Sequence, residues 1–204
     1  MGHELSSRER DALKEIANIG SGNAASALAA MTDTKIDITV PSVKIIPFAQ
    51  VPEILGGAEI LSVGIYTQVQ VDAPCGLLFV FPLSSALHLV DILLGRPPGT
   101  TKEIESLESS ALIETANVVG GAYLNALSRL TNITFVPSVP ALAIDMVGAI
   151  FNSVFVPASV FFDDAIMLET VFLGEDQQVT GHFFLLPQAN TLQRILEAIE
   201  VNKP

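Results

Sequence analysis

Apolar residues recur with a helical period near the start of the chain. Leu13, Ala17, Gly20, Ala24, Leu28 and Met31 share one stripe of a segment running from Ser7 to Thr32. The stripe returns at Leu112, Ala116, Val119, Tyr123, Leu127 and Leu130, within 106–131. Serines near each start can cap the first free amides. After each helical segment the period shortens to partial alternation, which predicts strands over 36–47 and 133–144. Two further pairs of strands are predicted, 60–71 with 75–82 and 165–173 with 180–187. A helix closes each series, over 84–94 and 188–199. Strands of this kind with few Gly-rich crossovers imply an α+β fold, a central sheet with the two long helices packed on it.

The two series are related. With Glu15 set against Glu114, an offset of 99, twelve of the 35 positions from 11 to 45 are identical, among them Ala12, Leu13, Ala17, Asn18, Gly22, Leu28 and Pro41. Average residue usage would give roughly two or three. Gly76 and Pro82 match Gly181 and Pro187 at an offset of 105, so the second copy carries six extra residues between the blocks. The expectation is one domain over 1–204, made of two repeats (about 6–95 and 105–200) whose long helices are related by a pseudo-twofold axis.

Composition narrows the class. Half the residues are hydrophobic (50%), only 16% are charged, and mean hydropathy is +0.51. The longest uncharged run, 146–162, is nevertheless too short for a membrane span and contains Asn152 and Pro157. The run 76–95 is broken by Pro82, His88 and Asp91. With a polar N-terminus unlike a signal peptide, the expectation is a soluble cytoplasmic protein. Net charge is -12, from 22 acidic and 10 basic residues, and no cluster of Lys and Arg stands out. That argues against nucleic acid as a partner and allows basic protein surfaces. The one cysteine, Cys75, excludes an internal disulfide and reads as a buried thiol. Three scattered histidines make no zinc site.

Candidate chemistry lies opposite the apolar stripes. Asp11, Glu15, Asn18 and Gly22 fall within roughly 60° of one another on a helix, and Ser110, Glu114, Asn117 and Gly121 repeat them, with Asn125 one turn on. Neighbouring surface positions differ between the copies (Lys14 against Ile113, Ser26 against Asn125), yet Glu, Asn and Gly keep type and register. Asn is a mediocre helix former and Gly a poor one, so their retention points beyond propensity. Glu supplies a negative charge, and Asn a neutral donor and acceptor able to orient water. No Ser/His or Cys/His pair and no EF-hand spacing accompanies them. Gly20-Ser21-Gly22-Asn23 looks like a phosphate loop but lacks the following lysine and lies inside a helical pattern. Such residues suit chemistry completed on a partner, and phosphoryl transfer needs mainly positioning and charge stabilisation.

The pattern Asp/Ser-x-x-x-Glu-x-x-Asn followed by Pro, present as Asp11, Glu15, Asn18, Pro41 and as Ser110, Glu114, Asn117, Pro140, resembles the signature of the CheC phosphatases of chemotaxis, a group with CheX- and FliY-type members. The stretch 16–25 is also similar to that family's first helix, and the resemblance covers essentially the whole chain. It implies hydrolysis of the aspartyl phosphate of a CheY-type response regulator. Asn18 and Asn117 would then orient the attacking water, and Glu15 and Glu114 would pair with a receiver lysine. The resemblance further implies no cofactor in this chain, Mg²⁺ supplied by the bound receiver, and the CheD deamidase as a second partner. The alternatives are a non-catalytic adaptor or flagellar switch component of the same fold, whose relatives normally carry extra segments that this chain is read as lacking, and a CheX-like dimer, against which the second motif argues. With two copies in one chain, a monomer is expected.

Overall fold

The computed structural model describes residues 6–32, 35–70, 75–155, 164–174 and 178–201. Residues 1–5, Val71 and 156–162 of the apolar run lie outside the described residues.

The helical stripes become α1 (Ser7–Thr32) and α4 (Ser106–Thr131), 26 residues each. Each opens with a reciprocal cap. In α1 the Glu9 amide donates to Ser6 Oγ at 3.2 Å, and the Ser6 amide donates to the Glu9 carboxylate at 2.7 Å. At the same 99-residue spacing, Glu105 and Glu108 form the same box, the Glu105 amide donating to Glu108 Oε2 at 3.1 Å. The second cap is therefore a carboxylate and not the expected serine, and it accepts the third amide as a hydroxyl would. Leu13, Ala17, Gly20, Ala24 and Leu28 are buried as predicted, as are Leu112, Ala116, Val119, Tyr123 and Leu127. Met31 is 46% exposed, because α1 runs on past its last buried residue, Leu28.

Seven strands, β1 (Asp37–Pro47), β2 (Leu61–Gln70), β3 (Cys75–Pro82), β4 (Val136–Pro137), β5 (Ala141–Met146), β6 (Asp164–Leu173) and β7 (Gln178–Pro187), form one antiparallel sheet. Its order is β1-β6-β7-β3-β2-β4, with β5 also paired to β2. The single strand expected over 133–144 is broken. β4 pairs only with Val69 and Gln70, while β5 pairs with 61–66. Pro137 and Pro140 bracket the gap and have no amide for the ladder, and the Ser138 amide donates to the Gln68 carbonyl at 2.8 Å. Pro41 sits at a similar fault in β1, whose register with β6 shifts between Thr39 and Ser42.

Two more helices follow the hairpins, α3 (Leu83–Leu93) after β3 and α6 (Ala189–Val201) after β7. With α1 and α4 they cover one face of the sheet, where Leu28, Leu127, Leu89 and Ile195 meet Leu77, Phe79 and Phe183. β3 is buried almost throughout, which requires cover on the other face as well. That cover comes from elements the sequence pattern did not predict: a 3₁₀ turn at Phe48–Gln50, α2 (Val51–Ile54) and α5 (Val147–Phe155). Phe48, Val51, Val147, Ile150 and Phe151 pack there on Leu78, Val80, Phe184 and Leu186. Among the described residues no helix is long and apolar enough to cross a membrane.

One expected correspondence fails on geometry. A side chain added at Gly76 would meet Tyr66, on the α5 side, whereas one added at Gly181 would meet Phe81, on the long-helix side. A spacing of 105 thus superposes residues that point to opposite faces, and one residue of slip is enough to cause that.

Candidate functional site

The long helices pack directly on each other over the sheet. Gly20 makes that possible, since a Cβ there would collide with the ring of Tyr123. Tyr123 in turn packs at a tilt against Phe183 of β7, ring centroids 4.9 Å apart, and burial pushes the pKa of its hydroxyl up to about 12. With their inner stripes fixed in this way, both helices have their opposite sides free.

Glu15, Asn18, Glu114 and Asn117 are all exposed, as are Asp11 and Ser110. Among the described residues, none of the four Glu and Asn side chains has a hydrogen bond or ion pair within the chain. The Ser110 hydroxyl donates to the Ser106 carbonyl at 2.7 Å. Gly22 and Gly121 have nothing within 4 Å of where a Cβ would stand. No neighbour in this chain therefore requires glycine at either position, so the room they leave is open to a partner. The repeated pairs can present two carboxylates and two amides to another molecule, and no Ser/His or Cys/His pair for covalent catalysis accompanies them on this face. Among the described residues no three of His, Cys, Asp and Glu stand close enough to hold a metal ion.

Cys75 is buried in β3, and burial raises its thiol to about 12, so it is inert at neutral pH.

A second polar constellation went unread in the sequence. Asp91, there only a charge interrupting an apolar run, is fully buried at the end of α3 and accepts three backbone amides. Gly99 and Thr100 donate to Oδ2 at 2.7 and 3.1 Å, and Thr101 donates to Oδ1 at 2.9 Å. Burial raises the Asp91 pKa, but the hydrogen bonds from Thr101, Gly99 and Thr100 outweigh it and hold the group below the ordinary carboxylate value. Arg96 Nη1 donates to Thr101 Oγ1 and to Glu108 Oε1, both at 2.9 Å. The same Glu108 caps α4, so this clasp ties α3 to the helix that carries Glu114 and Asn117. The signal available in the sequence was a lone acid in an apolar helix, followed within ten residues by Gly-Thr-Thr amides.

Comparison with known proteins places this geometry in context. The model of the CheC-like family matches residues 9–45, which hold the first Glu-x-x-Asn pair and Pro41. Over 199 residues, 96% of this chain and 95% of the relative, it is 30% identical to the CheY-P phosphatase CheC of Bacillus subtilis. Over 132 residues, 62% of this chain but 33% of the relative, it is 30% identical to the flagellar motor switch phosphatase FliY of the same organism. The crystal structure of Thermotoga maritima FliY shares the fold, with a TM-score of 0.76 at 22% identity over 98% of this chain and all of that one (100%).

Proposed function

Because this chain belongs to the CheC-like family, we propose that it hydrolyses the aspartyl phosphate of a CheY-type receiver, with Asn18 and Asn117 orienting water and Glu15 and Glu114 docking the receiver. The water oxygen forms a bond to phosphorus as the bond to the aspartyl oxygen breaks. The products are inorganic phosphate and the free carboxylate, with the water protons passing to solvent and phosphate. Mg²⁺ belongs in this reading to the receiver, where it offsets phosphoryl charge. This chain contributes orientation only. An amide can hold a water through its carbonyl and place it for in-line attack without taking a proton. The observation that carries the reading is that both Glu-x-x-Asn pairs stand exposed, with no partner within the chain among the described residues.

Decay of phosphorylated receiver tests it. Removing one preorganised hydrogen-bonding group should cost about 10²–10³-fold at its own site, the scale seen for an oxyanion-hole group. Asn18→Ala or Asn117→Ala alone therefore leaves the other site working, and the double variant falls to the receiver's intrinsic decay while still binding it. Glu15→Lys with Glu114→Lys loses binding as well, since a docking charge acts through association. Full activity in the double Asn variant would refute the catalytic roles. Binding by the parent protein without any turnover would favour the adaptor reading.

A further inference from the structure

Glu15, Asn18, Ile19 and Gly22 stand at i, i+3, i+4 and i+7 of α1, and all four are exposed. That spacing places them on one face, the arrangement by which a helix meets a partner. Ile19 is the one large apolar side chain among them, and it is 46% exposed. A lone aliphatic group on a surface is ordinary, but this one has a particular place. It follows Asn18 directly and lies one turn, about 6 Å along the axis, from Glu15. Among the described residues it is not one of those that pack on the core, although Ala12 and Ala25 of the same helix are. Helix propensity does not ask for it either, since a β-branched residue serves a helix less well than Ala, Leu or Lys. Its counterpart at the 99-residue spacing, Val118, is half-buried and packs on the core. Val118 is thus accounted for within the chain, and Ile19 is not. Gly22 has nothing within 4 Å of where a Cβ would stand, which lets a partner come down to the helix beside Ile19.

We propose that Ile19 is the apolar anchor of the α1 site, packing against an aliphatic or aromatic side chain of the receiver beside its phosphoryl-bearing aspartate, and that the α4 site has no such anchor at this register. This rests on the proposed phosphatase reading and adds a docking residue to it. Whatever covers Ile19 also covers Asn18, its neighbour, and Glu15, one turn away, so the occupant is the molecule that the motif serves. Protein interfaces concentrate binding in a few central side chains that lose their water, ringed by polar contacts. Ile19 holds that place on α1, with Glu15, Asn18 and Arg8 around it. An aliphatic group contributes equally before and during phosphoryl transfer, so its signature is in KM and not in kcat.

The test uses phosphorylated receiver and the Asn117→Ala protein, in which the α1 site alone works. Ile19→Ala deletes three carbons with about half their surface free, and should raise KM about 5- to 10-fold with kcat held within about twofold. Ile19→Val should bring KM back to within about twofold of the parent, whereas Ile19→Gln, of similar length and a good helix former, should not. In the Asn18→Ala protein, Val118→Ala should lower Tm by loss of packing and leave KM within about twofold. An unchanged KM in Ile19→Ala, a rise that Gln cures as well as Val, or an equal rise from Val118→Ala would overturn the inference. Titration of a Glu114→Lys protein, which keeps one docking site, with beryllofluoride-activated receiver reads the same loss without turnover. If the double Asn variant stays active while Ile19→Ala still weakens binding, the catalytic roles fail and the anchor stands. If turnover depends on Asn while Ile19→Ala binds as the parent does, the anchor alone fails.

Discussion

Replacing Asp91 by alanine should be among the most damaging single changes away from the helix faces. Its carboxylate is 0% exposed and accepts three backbone amides at 2.7 to 3.1 Å. Hydrogen bonds to a charged group contribute about 1.5–3 kcal/mol each when neither partner is left dry. Thr100 is exposed and can turn to water, whereas Thr101 is buried and cannot. Discounting for that rehydration, the loss should be about 3–5 kcal/mol. In a domain of this size each kcal/mol shifts Tm by about 2–4 °C, so a fall of about 6–20 °C is expected. Asp91→Asn keeps one acceptor oxygen and places an NH₂ against the remaining donors, so it should rescue only in part. Thermal and urea unfolding followed by circular dichroism decide the matter. The folded carboxyl has a depressed pKa, so its stabilisation is present above the unfolded value of about 3.9 and is lost as pH falls through the folded value. The gap between parent and variant should thus hold from pH 7 to 5 and close in stronger acid. A loss under about 1 kcal/mol at neutral pH, smaller than one ordinary buried hydrogen bond, would refute the clasp as a stabilising element.

Two further outcomes follow from the core. Gly20→Ala should cost about 1–3 kcal/mol by overpacking against Tyr123. Gly20→Ala with Tyr123→Leu should recover part of it, a non-additivity above about 0.5 kcal/mol in a denaturant cycle; strict additivity would mean the two helices do not depend on that contact. His182 is held below its ordinary pKa by burial, opposed by Glu169, and its Nδ1 is buried without a partner. Neutral His182 is therefore the form the fold favours, and stability should fall as pH drops below about 6.5. His182→Gln should flatten that limb of a Tm-versus-pH curve.

What the sequence made legible was set by period and register. The long helices were readable to the residue because their stripes are unbroken and the motif Glu and Asn sit squarely opposite them, which also made their exposure readable. The hairpins β2–β3 and β6–β7 were readable within two or three residues from their apolar runs. Short covering elements were not. α2 is a single turn, and α5 is nine residues long with its polar residues confined to the adjacent pair Asn152 and Ser153, too short a pattern for periodicity to separate helix from strand. The 105-residue match of Gly76 with Gly181 failed because identity of residue type carries no information about which side of a pleat it occupies. The Asp91 clasp was illegible because its donors are backbone amides, which every residue but proline possesses.

The strand order bears on how the chain is made. β1 lies at one edge with β6 as its sheet neighbour, and the paired residues stand between 117 and 136 positions apart, from Pro47–Asp164 to Asp37–Leu173. At the usual 5–20 residues per second, β1 leaves the ribosome roughly 6–27 s before its partner exists. β5 meets the opposite situation, since β2 is already made when it emerges. The sheet can therefore only be finished backwards, with the N-terminal strand locked last by a hairpin from the far end of the chain. A nascent chain stopped anywhere before β6 holds an open strand edge, which is a template for aggregation, and cutting the chain between α3 and α4 would strip β1 of its neighbour without freeing either half.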